Sequence, residues 1–304
     1  VLVAPASLKG VLSAKRAAAA LASGFVAGGA DVVEMPVADG GDGTLDALHA
    51  TLGGEFLTAN VHDAFGRRRL AKWLALPDGG AVVECAQAIP LDPHHLDAMS
   101  ASSRGLGELI RAVGQPNILI VGLGGSATVD GGSGLLEVID ALPAPTQVAC
   151  DVDVSLLDAA RLFARQKGAT QAQIEQLEAR LEAMEVLQPY AKLPGAGAAG
   201  GLGCALAALG ADLLPGAEFV LSLLGFDPVG FDLVVTGEGT VDVTTTRGKA
   251  PWAVRRRCER AHVRCALFGG KFLIGIPGAE HYSLSGNPDR AAVDLFELGR
   301  RLAQ

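Results

Sequence analysis

The stretch "ILIVGLGGSATVDGGSG", residues 118–134, decides the fold. Ile118 to Val121 form an apolar run without polar alternation, the signature of a strand buried on both faces. The run breaks into Gly122, Gly124, Gly125, Ser126 and Thr128, then Asp130, Gly131 and Gly132 before a helix. A buried strand that ends in glycines and feeds a helix is the repeating unit of a parallel α/β sheet. Small residues in such a loop free backbone N–H groups to bond phosphate oxygens, and the Ser126 and Thr128 hydroxyls can supplement them. Gly122, Gly124 and Ala127 also fit a loose G-x-G-x-x-A dinucleotide pattern. Asp130, however, adds an acid where a dinucleotide loop wants none, which favours a mononucleotide over NAD.

Working outward, further short apolar runs predict strands at Val1–Pro5, Val32–Val37, Ile118–Leu123, Gln147–Asp151, Leu233–Thr236 and Arg264–Phe268. They alternate with Ala/Leu-rich helical segments, a pattern that yields parallel sheets covered by helices. Helix starts are marked by Ser13, by Thr170 with Gln173 as a capping box, and by Pro215 at a first-turn position. Thr170–Leu187 carries Ile174, Leu177, Leu181 and Met184 at helical spacing and reads as an amphipathic covering helix. Between Phe56 and Ile89 the residues alternate apolar and polar across turns at 65–67 and 77–80, which predicts antiparallel ribbon. At 304 residues the chain is long enough for two lobes. The expected division is a discontinuous α/β domain of residues 1–55 plus 262–304, interrupted by an inserted α/β domain of residues 56–261. Both have mainly parallel, Rossmann/flavodoxin-like sheets.

Composition narrows the function. Net charge is −8 and the arginines are scattered, so there is no broad electrostatic footprint for nucleic acid. Five cysteines stand singly, without the spacing of a zinc site or disulfide framework, and a reducing cytoplasm is the expected compartment. No charge-free run of about 18 apolar residues occurs, so no membrane partner is expected. The histidines lack metal-type pairing, and no serine lies in a G-x-S-x-G context, so zinc and serine hydrolases are unsupported.

Ligands of open α/β sheets gather at the carboxyl ends of strands, and the polar loops lie there. "VAPASLKGVLSA" places Ser7, Lys9 and Gly10 between a strand and a helix, where an ammonium can meet a carboxylate or phosphate. "PVADGGDGT", residues 36–44, sets Asp39 and Asp42 among three glycines, suggesting a metal ligand or a proton acceptor. "ACDVDVSLL" puts Asp151 and Asp153 at a strand end, on one face if the strand continues, as candidate Mg²⁺ partners. "LPGAGAAGGLG" is a second glycine-rich segment, suited to a backbone-lined anion site or to a linker. "DLVVTGEGTVDVTTTRGKAP" combines Thr236, Glu238, Asp242, Thr245 and Lys249. Carboxylates beside a lysine at a helix start suit Mg²⁺ with a phosphoryl group.

Taken together, "APASLKGVLSA", "PVADGGDGTLDAL", "SSRGLGELI", "GLGGSATVDGGSG", "ACDVD", "QKGAT", "PGAGAAGGLG" and "TGEGTVD" followed by "RGKAP" closely resemble the bacterial glycerate kinase family. The matching pieces span nearly the whole chain in family order. The resemblance implies phosphorylation of D-glycerate by ATP, the 2-position being favoured, in two α/β domains with an active cleft between them. The chain departs from the family pattern at Ala6, where an acid is usual, and at Thr240 and Thr244, where Arg and Gln are common. It is also shorter around 142–147 and 271–277.

The expected site follows from these loops. Lys9, Asp39 and Asp42 would be catalytic, either acid serving as base. Ser7, Gly124, Gly125, Ser126, Thr128, Asp130, Thr245 and Lys249 would bind substrate or phosphate, and Asp151, Glu238 and Asp242 would hold Mg²⁺. ATP and D-glycerate are the expected partners, with a homodimer as a further possibility. The competing readings are a non-catalytic nucleotide or metabolite binder of the same fold and, resting on the loose glycine pattern, an NAD-dependent oxidoreductase.

Overall fold

The computed structural model describes residues 1–304. Its strands are β1 (Leu2–Val3), β2 (Val33–Glu34), β3 (Glu55–His62), β4 (Arg68–Ala75), β5 (Ala81–Glu84), β6 (Leu119–Gly122), β7 (Thr146–Cys150), β8 (Asp212–Pro215), β9 (Leu233–Val241), β10 (Arg264–Phe272) and β11 (Glu280–Ser283). One sheet has the order β11-β10-β9-β1-β2, all parallel. The other has the order β3-β4-β5-β6-β7-β8, parallel from β5 to β8 and antiparallel from β3 to β5. The six expected strands are all present. The ribbon forms because its alternating residues face the core on one side only, as antiparallel strands allow. Neither β8 nor β11 was expected, since "DLLP" and "EHYS" are too short and polar to stand out as strand patterns.

The chain divides into two compact units: Val1–Asp39, Asp46–Leu52 and Ala217–Gln304 in the first, Gly40–Leu45 and Gly53–Gly216 in the second. The second boundary therefore falls at Ala217 and not at residue 262. The reason is β9, which pairs with both β1 and β10 and so lies in the middle of the first sheet. An apolar run announces a strand, whereas the sheet it joins depends on a partner more than 200 residues away in sequence, as Leu2 with Val234 shows.

In the first unit the core gathers Val3, Leu21, Phe25, Val235, Phe268, Leu295 and Leu298. Each such side chain, fully buried, contributes about 1.5–3 kcal/mol. The helices Ala14–Ala27 and Ala291–Leu302 meet backbone to backbone. A Cβ on Gly24 would come within 2.1 Å of the Phe296 carbonyl oxygen, and one on Gly299 within 2.3 Å of that of Leu21. Ser13 caps the first of these helices by accepting from the Arg16 N–H. Residues 273–279 join β10 to the parallel β11 with no helix between them.

The core of the second unit includes Val83, Leu106, Leu109, Val121, Val148 and Leu202. Thr170 and Gln173 form the expected capping box at the start of the helix Gln171–Glu182, which buries Ile174, Leu177 and Leu181. Pro215 is not in the first turn of a helix. It is the last residue of β8, and the next helix starts at Gly216. No helix is long and apolar enough to cross a membrane.

Candidate active site

In the first unit the loops after β1, β2 and β9 leave the same edge of the sheet, because these three strands are adjacent and parallel. Lys9 and Gly10 form an exposed turn after β1, while Ser7 just before them is half-buried. A Cβ on Gly239 would lie 3.6 Å from Leu8 Cα and 3.8 Å from the Lys9 nitrogen, so this turn packs on β9 beside Glu238. Glu238 is only 9% exposed. Its carboxylate accepts from Thr245 Oγ1 at 2.7 Å and from Lys249 Nζ at 3.2 Å. Burial pushes its carboxyl up from the usual range, the nearby Asp39 charge adds to this, and the Thr245 and Lys249 contacts oppose it.

Lys249 stands at the N-cap position of the helix Ala250–Ala261, whose first turn contains Pro251. This unit thus assembles the Lys9 turn, Asp39, Glu238, Thr245 and Lys249. Asp242 is drawn elsewhere. Its Oδ1 accepts from the Thr244 N–H at 2.7 Å and from Thr244 Oγ1 at 2.5 Å, and the Thr244 hydroxyl bond is what chiefly lowers its carboxyl. Asp242 closes the turn that presents Thr245.

In the second unit the glycines also serve close packing. A Cβ on Gly124 would meet Gly41 Cα at 2.4 Å, and one on Gly40 would meet the Ala149 carbonyl oxygen at 2.6 Å. The two glycine loops are interleaved, and the Gly124 N–H already donates to the Gly40 carbonyl at 3.0 Å. Around this contact lie Asp42, whose Cβ is 3.8 Å from a Cβ position on Gly125, and Asp151, whose Oδ2 is 3.1 Å from one on Gly124.

The hydroxyls expected to touch phosphate point inward. Ser126 and Thr128 are 3% and 0% exposed. Thr128 Oγ1 donates to the Ala199 carbonyl at 3.4 Å, while Ser126 Oγ accepts from Lys167 Nζ at 3.2 Å. Asp130 is likewise spent on the protein. It accepts from the Ser103 N–H and hydroxyl, both at 2.7 Å, and from the N–H groups of Gly132 and Gly134. A carboxylate saturated in this way braces the loop and is no phosphate ligand. What this loop can offer an anion is backbone. Because Leu91 donates to Gly125 and Ala127 donates to Ile89 across the bridge, alternation turns the Ser126 N–H away from that neighbour.

The strand β7 ends at Cys150, so Asp151 and Asp153 are not held on one face by strand alternation, and Asp153 is exposed. The segment Pro194–Gly203 is folded and largely buried, and is not a linker. Ala199, Gly200 and Gly201 take left-handed φ values of 52°, 70° and 99° and are buried. A Cβ on Gly200 would strike the Thr128 carbonyl oxygen at 2.1 Å. Of the expected metal set, Asp151 lies in the second unit and Glu238 and Asp242 in the first, and no group of three or more His, Cys, Asp or Glu side chains is poised to hold a metal ion.

Two buried charged side chains beside these loops escaped the sequence reading. Lys167, within the quoted "QKGAT", is 4% exposed and is the one lysine among the buried residues. Burial pushes its ammonium down to about 8, against the pull of Asp151, Cys85 and Asp130. Glu84, 1% exposed at the end of β5, accepts the Leu45 N–H at 2.6 Å. A charged residue directly after an apolar strand was the available signal for Glu84. For Lys167 no local pattern distinguishes a buried lysine from a solvated one.

The model of the glycerate kinase family matches residues 1–144 and 141–285. Glycerate 2-kinase of Escherichia coli is 35% identical, the alignment covering 92% of this chain and 85% of that protein. Glycerate kinase of Bacillus subtilis is 34% identical over the same shares. The crystal structure of "putative glycerate kinase 2 from Salmonella typhimurium LT2" superposes with a TM-score of 0.82 at 30% identity, covering 99% of this chain and 96% of that one. The chain belongs to the glycerate kinase family, a family of kinase enzymes.

Proposed function

We propose that this chain transfers the γ-phosphoryl group of ATP to D-glycerate with Mg²⁺, forming 2-phosphoglycerate. The observation that carries the reading is the convergence in the first unit of the Lys9 turn, Asp39 and the Glu238–Lys249 pair at the carboxyl ends of adjacent strands. Phosphoryl transfer asks a protein for positioning, charge neutralisation and a group to take the hydroxyl proton. Lys9, exposed at its turn, pairs with the glycerate carboxylate. Asp39 accepts the proton of the attacking hydroxyl, with Asp42, beside the glycine loop of the second unit, as the alternative base. Glu238, held by Lys249 and Thr245, supplies an oxygen donor for Mg²⁺. Carboxylate oxygen suits a hard cation that keeps water and phosphate as its other ligands, so a preassembled three-acid cage is not required. Bound there, Mg²⁺ supplies charge neutralisation for the phosphate oxygens. Asp151 stays in the proposal as a carboxylate on the side of the glycine loop, whose contribution to the nucleotide phosphates is its backbone. Asp242 and Asp130 leave it, being engaged with their own loops.

The test is an ADP-release assay with and without D-glycerate, followed by NMR of the product. Release that depends on both substrates, with 2-phosphoglycerate as product, is expected. ATP binding without turnover would select a non-catalytic relative, and 3-phosphoglycerate would overturn the regiochemistry alone.

A further inference from the structure

The proposed reaction uses no group beneath the glycine loop, yet a buried cation sits there. Lys167 Nζ donates to the Thr128 carbonyl at 2.7 Å and to Ser126 Oγ at 3.2 Å. Its approach is fixed by the backbone. The turn Arg165–Lys167 closes at Gly168, φ 94°, where a Cβ would come within 2.7 Å of the Leu96 carbonyl oxygen. The capped helix Gln171–Glu182 starts immediately afterwards. From the other side Gly200 presses on the same Thr128 carbonyl, and the Gly131 N–H donates to the Gly200 carbonyl at 3.0 Å. The Ser126–Thr128 turn is thus clamped between an ammonium and a left-handed backbone segment. A buried ammonium is costly unless it is compensated. Here it donates to two neutral oxygens, and the charges of Asp151 and Asp130 attract it.

We propose that Lys167 is a positioning residue for the nucleotide phosphates. It holds the Ser126–Thr128 turn from its inner side so that the loop backbone meets the phosphates, and it places a positive charge behind that backbone. The proposal rests on the kinase reading given above, and binding measurements separate the two.

The experiment compares the full chain with Lys167→Met, Lys167→Arg and Thr170→Ala. For each, the KM values of ATP and D-glycerate, the Kd of ATP without glycerate by calorimetry, and the melting temperature are measured. Loss of a charge-assisted bond predicts an ATP Kd and KM raised about 10- to 100-fold in Lys167→Met. The D-glycerate KM should change far less, and Lys167→Arg, which keeps cation and donor, should recover part of the loss. Thr170→Ala, which removes only the helix cap, should lower the melting temperature without moving the ATP constants. The proposal is overturned if Lys167→Met melts earlier but keeps wild-type ATP constants, or if both KM values shift equally. Should Lys167→Met not fold, Ser126→Ala removes one of the two bonds alone. A several-fold weaker ATP Kd is then expected, and an unchanged one overturns the proposal. A wild-type chain that binds ATP without glycerate-dependent ADP release refutes the kinase reading while the Kd series still judges Lys167, and one that binds no ATP overturns both.

Discussion

The two units solve the same problem, a polar loop at the end of a buried strand, in opposite ways. After β9 the first unit presents side chains: Glu238 is bonded to Thr245 and Lys249, and Asp39 is close enough to raise its proton affinity. After β6 the second unit turns its polar side chains inward, Ser126 toward Lys167 and Thr128 toward Ala199, so that the loop's outer side is backbone in the proposed site. Glycines serve the second solution as spacers between interleaved loops, since Gly124 lies against Gly41 and Gly40 against Ala149. A site built from side chains should therefore fail through chemistry, and one built from backbone through packing.

The contrast breaks first at the base. Asp39→Asn is expected to lower kcat by about 10²–10⁴-fold with little change in ATP affinity, measured by ADP release; full turnover would remove Asp39 from catalysis. Next, Glu238→Gln should raise the Mg²⁺ concentration needed for half-maximal rate by about 10- to 100-fold. Asp242→Asn should move it much less, because that carboxylate is occupied with Thr244. Equal effects of the two would show that the engaged acid is a ligand after all.

In the second unit the expected loss is stability. Gly124→Ala drives a methyl into Gly41 and should cost at least about 2 kcal/mol in chemical denaturation. Gly43→Ala has open space around it, and there the cost should be that of the left-handed φ of 94° alone, about 1–2 kcal/mol.

Lys167 adds a pH signature. Its folded proton affinity, at about 8, lies below that of the unfolded chain, so between pH 8 and the ordinary lysine range near 10.5 the unfolded state binds more protons. Stability contributed by this group is therefore depressed at low pH and recovers as pH rises through that window, by up to about 3 kcal/mol. The unfolding free energy of wild type minus that of Lys167→Met should rise accordingly, and a flat difference would place the lysine in a wetter setting than its burial indicates. The smallest effect expected is that of Thr170→Ala, about 1 kcal/mol from the lost cap.

How much was legible varies with how local each cause is. Parallel strands with glycine-rich ends, the antiparallel ribbon and the caps at Ser13 and Thr170 follow from neighbours within a few residues, and these could be read. The membership of β9 in the first sheet could not, because its partners β1 and β10 are set by pairing at long range. Nor could the inward turn of Ser126 and Thr128, for a hydroxyl in a glycine loop carries no mark of which side will hold its partner. Pro215 shows the same limit on a small scale: its ring fits a first helical turn as well as a strand end, and pairing of β7 with β8 decides.

By itself the sequence determined the residue types: an acid-rich, glycine-rich set of strand-end loops whose order along the chain matches one kinase family, because periodicity and turn chemistry are written in adjacent residues. Only the tertiary structure decided which of those acids remain available and which are consumed. Asp130 and Asp242 are satisfied by donors that folding brings to them, Glu238 is held by a lysine at the next helix start, and Lys167 acquires its place under the loop because burial and hydrogen bonding depend on what surrounds a side chain from every direction.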